Sequence, residues 1–184
     1  MGTIFVDNLE PQSGTSLTLG ASGDAINLAT GATAGFGKIG QIVSTFKADA
    51  FGTTSTSLVD VTGLTLNITP SATSSKILIM LCCGVGNGAG GNNVKLVLVR
   101  GSTEVGSSTF ASSSNTFAFT NTQANSDVTN IGQHFLDSPN SVSSQVYKIQ
   151  MSRTGSGTAF MGHSTGLGTG TGMSASLTAM EVLA

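Results

Sequence analysis

Two short segments near the start of the chain, residues 16–20 and 25–31, alternate apolar and polar positions on either side of a Ser22-Gly23-Asp24 turn signal. Each carries a pair of aliphatic residues two apart, Leu17 with Leu19 and Ile26 with Leu28. That period of two puts each pair on one face of a β-strand. Four small apolar side chains are too few to build a core. They make sense when several copies of the chain direct them at a common axis. Residues 13–36 are therefore expected to form the shaft of an intertwined trimeric fibre, with Leu17, Leu19, Ile26 and Leu28 packed on its axis. Gly35, Gly37 and Gly40 extend this shaft into a glycine neck, so that shaft and neck together occupy residues 13–40. Residues 1–12 are left as an N-terminal attachment arm.

From Gln41 onward the pattern becomes a succession of β-strands. Segments 41–48, 57–69, 75–83, 93–101, 116–121, 128–136, 145–153, 158–163 and 173–183 are rich in Val, Ile, Leu, Phe and Thr, and clusters of Gly, Ser, Asn and Pro divide them. Strands at this spacing predict an all-β sandwich, and about eight of them suit a jelly roll filling residues 41–184. Gly63 is expected to place a bulge within the 57–69 segment. The segment from Ile77 to Cys83 is apolar on both faces, and such a strand needs a cover on each side. One cover is the opposing sheet. The other is expected to be a neighbouring protomer, with loops of the same chain folded over a wide sandwich as the alternative; the first makes Ile77, Ile79, Leu81 and Cys83 candidate interprotomer residues.

Composition narrows the class of function. Charged residues make up 9% of the chain, against roughly 25% in ordinary soluble proteins. With 39% hydrophobic residues, the chain lacks the high charge and low hydrophobicity of disorder. The net charge is −2 and the seven basic residues are scattered singly, so no nucleic-acid partner is expected. No apolar run approaches a membrane span, and the N-terminus lacks the basic-then-apolar order of a signal peptide. Membrane insertion is therefore not expected, and synthesis in the cytosol without an export signal is.

Candidate chemistry is sparse. Gly35, Gly37 and Gly40 fit the spacing of a dinucleotide loop, but a strand-like segment follows where a helix N-terminus would be needed. Cys82 and Cys83 are adjacent, so their side chains point to opposite faces of a strand, and their spacing fits no metal motif. His134 and His163 lack a neighbouring histidine partner. The nine carboxylates are dispersed, and no serine sits in a nucleophile elbow. We therefore expect no catalytic residues, no metal and no cofactor. The polar loops are the expected recognition surfaces, because Ser, Gly and Asn offer adaptable hydrogen bonding. Their candidate residues are Asn87, Asn92, Asn93, Asn115, Asn121 and Asn125.

Four segments carry a resemblance. Residues 13–33 (SGTSLTLGASGDAINLATGAT), the strand pair of residues 41–81, the FLDSP of residues 135–139 and the VYKIQM of residues 146–151 resemble a family of small fibre-like proteins of bacteriophages, especially those of marine bacteria. The resemblance implies a short repetitive shaft ahead of a trimeric β-sandwich head similar in design to C1q and tumour-necrosis-factor heads. It implies a location in the virion, on tail or capsid, with the N-terminus joined to other virion proteins. The expected function is host attachment or particle decoration by a homotrimer, with a host surface receptor or glycan as partner. Two other classes are compatible with the chain. A trimeric depolymerase of surface polysaccharide would place its site between protomers. A monomeric carbohydrate-binding module would be expected to expose Trp or Tyr, and the chain has no Trp and one Tyr.

Overall fold

In a computed structural model of the protein the described residues are 39–107, 116–122, 127–162 and 172–183, all within the unit Lys38–Ala184. The attachment arm, the shaft residues Leu17, Leu19, Ile26 and Leu28, the loop residues Asn115 and Asn125, and His163 lie outside them. The described residues form eleven strands and no helix. In chain order these are β1 (Ile39–Lys47), β2 (Phe51–Thr53), β3 (Val59–Ile68), β4 (Lys76–Asn87), β5 (Asn92–Arg100) and β6 (Thr103–Val105). They continue as β7 (Ala118–Thr122), β8 (Val128–Asp137), β9 (Gln145–Thr154), β10 (Ala159–Met161) and β11 (Ala175–Val182).

Two antiparallel sheets result. In the first, β4 pairs along one edge with β8, and along the other with β11 and then β10. Outside those, β1 pairs with β11 and β2 with β10. The rows are therefore β8, β4, β11 with β10, and β1 with β2. The second sheet runs β3, β9, β5, and then β6 with β7. Four rows facing four rows make a β-sandwich with jelly-roll connections, the fold class the strand pattern predicts. Gly63 adopts φ 88, and the β3–β9 register slips between Asp60 and Thr65. This is the expected bulge, at a backbone conformation that glycine alone takes without strain.

The two inner faces supply the core. Leu64 and Ile68 of β3, Leu96 and Leu98 of β5, and Ile149 and Met151 of β9 meet Leu177 and Ala179 of β11 and the inner row of β4. That inner row is Ile77, Ile79, Leu81 and Cys83, each between 0% and 2% exposed within one protomer. The expectation that these four face a neighbouring protomer is thus corrected. They face the opposing sheet, and the side of β4 left for another cover is the alternate row, Leu78, Met80 and Cys82. Register also fixes two ends. Ile39, Lys76 and Val182 lie together at one end, the base, where the chain enters the sandwich. Lys47 with Ala175, and Asn93 with Thr154, mark the opposite end, the tip.

Candidate interaction face

The outer side of the first sheet is divided in two. Toward the tip, the sheet is covered by its own chain. β4 has Gly84 and Gly86 there, and a Cβ on either would collide with what lies above it. At Gly84 it would meet the Met173 thioether, and at Gly86 the Asp127 carbonyl and the Phe160 ring. Phe160 is accordingly 0% exposed although it does not belong to the inner core.

Toward the base, nothing of the described chain covers the sheet. Cross-strand register aligns its side chains in rungs. One rung is Ile42, Met180, Leu78 and Leu136, apolar across all four rows. The next is Ser44, Thr178, Met80 and His134, and the third is Phe46, Ser176, Cys82 and Gly132. Ile42 is 59% exposed, Phe46 67%, Met80 43% and Leu136 44%. Lys76, at the base end of β4, is the charged residue of this bare half-face; Ser44 and Thr178 hydroxyls bond each other at 2.9 Å. With rows about 4.8 Å apart and same-face residues about 6.8 Å apart, the half-face measures about 400 Å². Its apolar positions, Ile42, Met180, Leu78, Leu136, Met80 and Phe46, are interrupted by Ser44, Thr178, Ser176 and His134; apolar patches of a few hundred Å² are often functional contact surfaces.

Two buried carboxylates fix the base. Glu181 of β11 is 1% exposed. It accepts hydrogen bonds from the Ser71 backbone N–H at 2.6 Å, the Ser71 hydroxyl at 2.7 Å and Gln41 Nε2 at 2.7 Å. Burial opposes its charge, but the donors from Gln41 and Ser71 prevail and hold its pKa down at about 2. Asp137 of β8 joins the two sheets. It accepts from the Tyr147 hydroxyl at 2.6 Å, from Arg100 Nη1 at 2.5 Å and from the Ser138 N–H at 2.9 Å. Tyr147 is fully buried; burial first, then the adjacent Asp137, push its hydroxyl pKa well above the ordinary value. Two further carboxylates form ion pairs: Asp60 pairs with Lys148 at 2.8 Å and Asp49 with Lys47 at 2.9 Å.

The loop asparagines are only partly where recognition would need them. Asn87 is 0% exposed, and its Oδ1 accepts from the Ala89 N–H at 2.9 Å. It is a turn-forming residue and is corrected as a receptor contact. Asn92 ties the β4–β5 turn to the β9–β10 turn: its Oδ1 accepts from the Ser156 N–H at 3.0 Å and its Nδ2 donates to the Ala89 and Gly90 carbonyls at 3.1 Å. Asn93 and Asn121 sit opposite each other on β5 and β7, with Asn121 Nδ2 donating to Asn93 Oδ1 at 2.5 Å. All four lie at the tip. Among the described residues no three His, Cys, Asp or Glu side chains gather closely enough to hold a metal ion. Sequence reasoning missed the bare half-face because Ile42, Met180, Leu78 and Leu136 come from four segments; only the pairing register aligns them.

No protein-family model matches the chain, and no curated protein does. Among solved structures the chain is similar to chains from the structures of infectious bursal disease virus, Gt strain and Gx strain. Each shows 14% identity and a TM-score of 0.44, covering 88% of this chain. A third similar chain is that of the infectious bursal disease virus VP2 subviral particle, at 14% identity and a TM-score of 0.38. This chain spans less than half of their lengths, 42%, 41% and 42% respectively.

Proposed function

We propose that the chain is a non-enzymatic structural protein of a phage particle, the head of a homotrimeric fibre or fibre tip that serves host attachment or particle decoration. The observation that carries this reading is the bare apolar half-face of the first sheet. A face of Ile42, Phe46, Leu78, Met80, Leu136 and Met180 with a single charge suits another copy of a chain that is itself poor in charge.

The area favours a closed ring over a face-to-face pair. A face-to-face pair buries one half-face of about 400 Å² on each protomer, less in all than the roughly 1,000 Å² of a stable specific interface, whereas a ring buries two patches on every protomer. In a heterologous ring each protomer also presents a second, unlike patch to its neighbour, and a ring of three closes without leaving a sticky surface. On this reading Phe119 of β7, 54% exposed at the margin of the second sheet, belongs to such a patch. The jelly-roll strand order is compatible with the C1q- and tumour-necrosis-factor-like head implied by the sequence resemblance. Chain polarity fits as well: the chain enters at the base, and the turns around Asn92, Asn93 and Asn121 lie at the far end.

The test is solution mass by light scattering after size-exclusion chromatography, with Met80→Glu alongside the wild type. Three times the 18.4 kDa chain mass is expected for the wild type. Met80→Glu, which places a charge at the centre of the half-face, is expected to run as a folded single chain. A wild type of single-chain mass overturns the reading and moves the monomeric carbohydrate-binding module to the front.

A further inference from the structure

The pairing of β4 with β8 gathers three soft donor side chains on the half-face. His134 of β8 stands directly across from Met80 of β4. Cys82 lies two residues on from Met80, on the same face, and the residue across from it is Gly132. Cys82 and His134 are therefore diagonal neighbours. A Cβ built at Gly132 would meet nothing within 4 Å, so the space beside the thiol stays open. Met80, Cys82 and His134 all line one hollow of about 250 Å³, together with Ser176 and Thr178. Each of the three is reachable from solvent: Cys82 is an exposed free thiol, Met80 is 43% exposed and His134 is exposed. Cys83, the other thiol, is turned into the core.

We propose that Met80, Cys82 and His134 form a binding site for a soft monovalent metal ion, copper(I). The site lies within one protomer, so the inference stands apart from the assembly reading above. The donor set decides the class of metal. Thiolate and thioether select copper(I), and imidazole suits copper as well. Zinc takes Cys, His and carboxylate donors, of which this hollow offers two. Hard cations need oxygen ligands, and here there are only the hydroxyls of Ser176 and Thr178. The reach is sufficient. Residues across a rung lie about 5 Å apart and diagonal ones about 7–8 Å, within the span of long side chains, and metal bonds of about 2.0–2.3 Å on each side close the remainder. Met and His are the long members and lean toward the short Cys. On binding, the thiol proton leaves to solvent and the imidazole coordinates in its neutral form. Ser176, directly across from Cys82, is placed to donate its hydroxyl to the sulfur and orient it.

The experiment titrates copper(I), without oxygen, into the reduced full chain in competition with a colorimetric copper(I) chelator. Cys82→Ser, Met80→Leu, His134→Gln and Cys83→Ala are measured in parallel, with circular dichroism to check that each is folded. Met80→Leu keeps the apolar surface and removes only the sulfur. The wild type and Cys83→Ala are expected to take one copper(I) per chain, and an equal concentration of zinc(II) is expected not to displace it. Cys82→Ser is expected to lose binding. Met80→Leu and His134→Gln are each expected to weaken it by about tenfold or more, no less than the loss of a supporting contact around a metal ligand. A wild type that cannot hold copper(I) against the chelator overturns the site, and so does a Cys82→Ser variant that can. Unchanged affinity in Met80→Leu or in His134→Gln overturns the three-donor assignment, and displacement by zinc(II) overturns the choice of metal.

Discussion

Glu181 offers the sharpest check on how the base of the sandwich is held. Its carboxylate sits on the inner side of β11, with three donors converging on its two oxygens. Gln41 Nε2, one of them, also donates to the Thr69 carbonyl at 2.6 Å. One carboxylate thus binds β1, β11 and the turn between β3 and β4. Lowering a glutamate from 4.5 to about 2 corresponds to about 3 kcal/mol, at about 1.4 kcal/mol per tenfold change in proton affinity. The sign follows from the direction. Because the folded value lies below the unfolded one, this stability is complete above about pH 4.5 and is lost as pH falls toward 2.

The perturbation is Glu181→Gln, assayed by urea unfolding at one chain concentration and at several pH values from neutral to about 2. Gln retains one acceptor oxygen for Ser71, but its amide group confronts the Gln41 amide. At neutral pH the variant is expected to be less stable by about 2–3 kcal/mol, in line with hydrogen bonds to a charged acceptor. As the wild-type carboxyl takes up its proton, the gap is expected to close and to vanish near pH 2. A gap that is the same at neutral pH and at pH 2 would refute the reasoning, because the charge would then contribute nothing that a neutral amide lacks.

Two further outcomes are expected. Tyr147→Phe removes one of three donors to Asp137 and should cost about 1.5–2 kcal/mol in urea unfolding. Asp137→Ala, which leaves a buried hydroxyl and the Arg100 guanidinium without their acceptor, should cost about 3–5 kcal/mol; equal losses would contradict the clasp between the sheets. Alkylation of the folded protein near neutral pH, mapped by mass spectrometry, should modify Cys82 alone, and more slowly in assembled copies than in separated chains. The Cys83 thiol, buried and beside Cys82, is pushed up to about 12, so an adduct there at a comparable rate would contradict its inward placement.

Much of the fold is legible in the sequence because it is written in local alternation. The segment from Gln145 to Arg153 becomes β9, the segment from Val128 to Leu136 becomes β8, and the turn at Gly101 is present with φ 61. β2 is not legible. Phe51–Thr53 is too short to show a period, and its existence depends on β10, more than a hundred residues away. The FLDSP and VYKIQM segments stand out in the sequence without a visible reason. The reason is a contact between them: Asp137 of the first bonds Tyr147 of the second, and Arg100 arrives from β5. Period-two alternation assigns residues to common faces but does not say which face meets the opposing sheet. That is why the two-faced character of residues 77–83 is readable, while the choice between Ile77, Ile79, Leu81, Cys83 and their alternates is not.

The outer row of β4 shows why that choice matters. Its residues run Leu78, Met80, Cys82, Gly84, Gly86, shrinking from base to tip. At the glycine end the backbone lies low enough for Met173, Phe160 and the Asp127 carbonyl to rest on it, so the protomer covers its own sheet there. A Leu at position 84 or 86 would displace that cover. At the other end large side chains stand up from the sheet, where the described chain supplies nothing to meet them. On the assembly reading their burial, at roughly 25 cal/mol for each Å² of apolar surface, falls to another copy of the chain. One strand thus specifies both where the protomer closes on itself and where it stays open. On the assembly reading, partners meet at the base, and the turns at the tip are left clear for recognition.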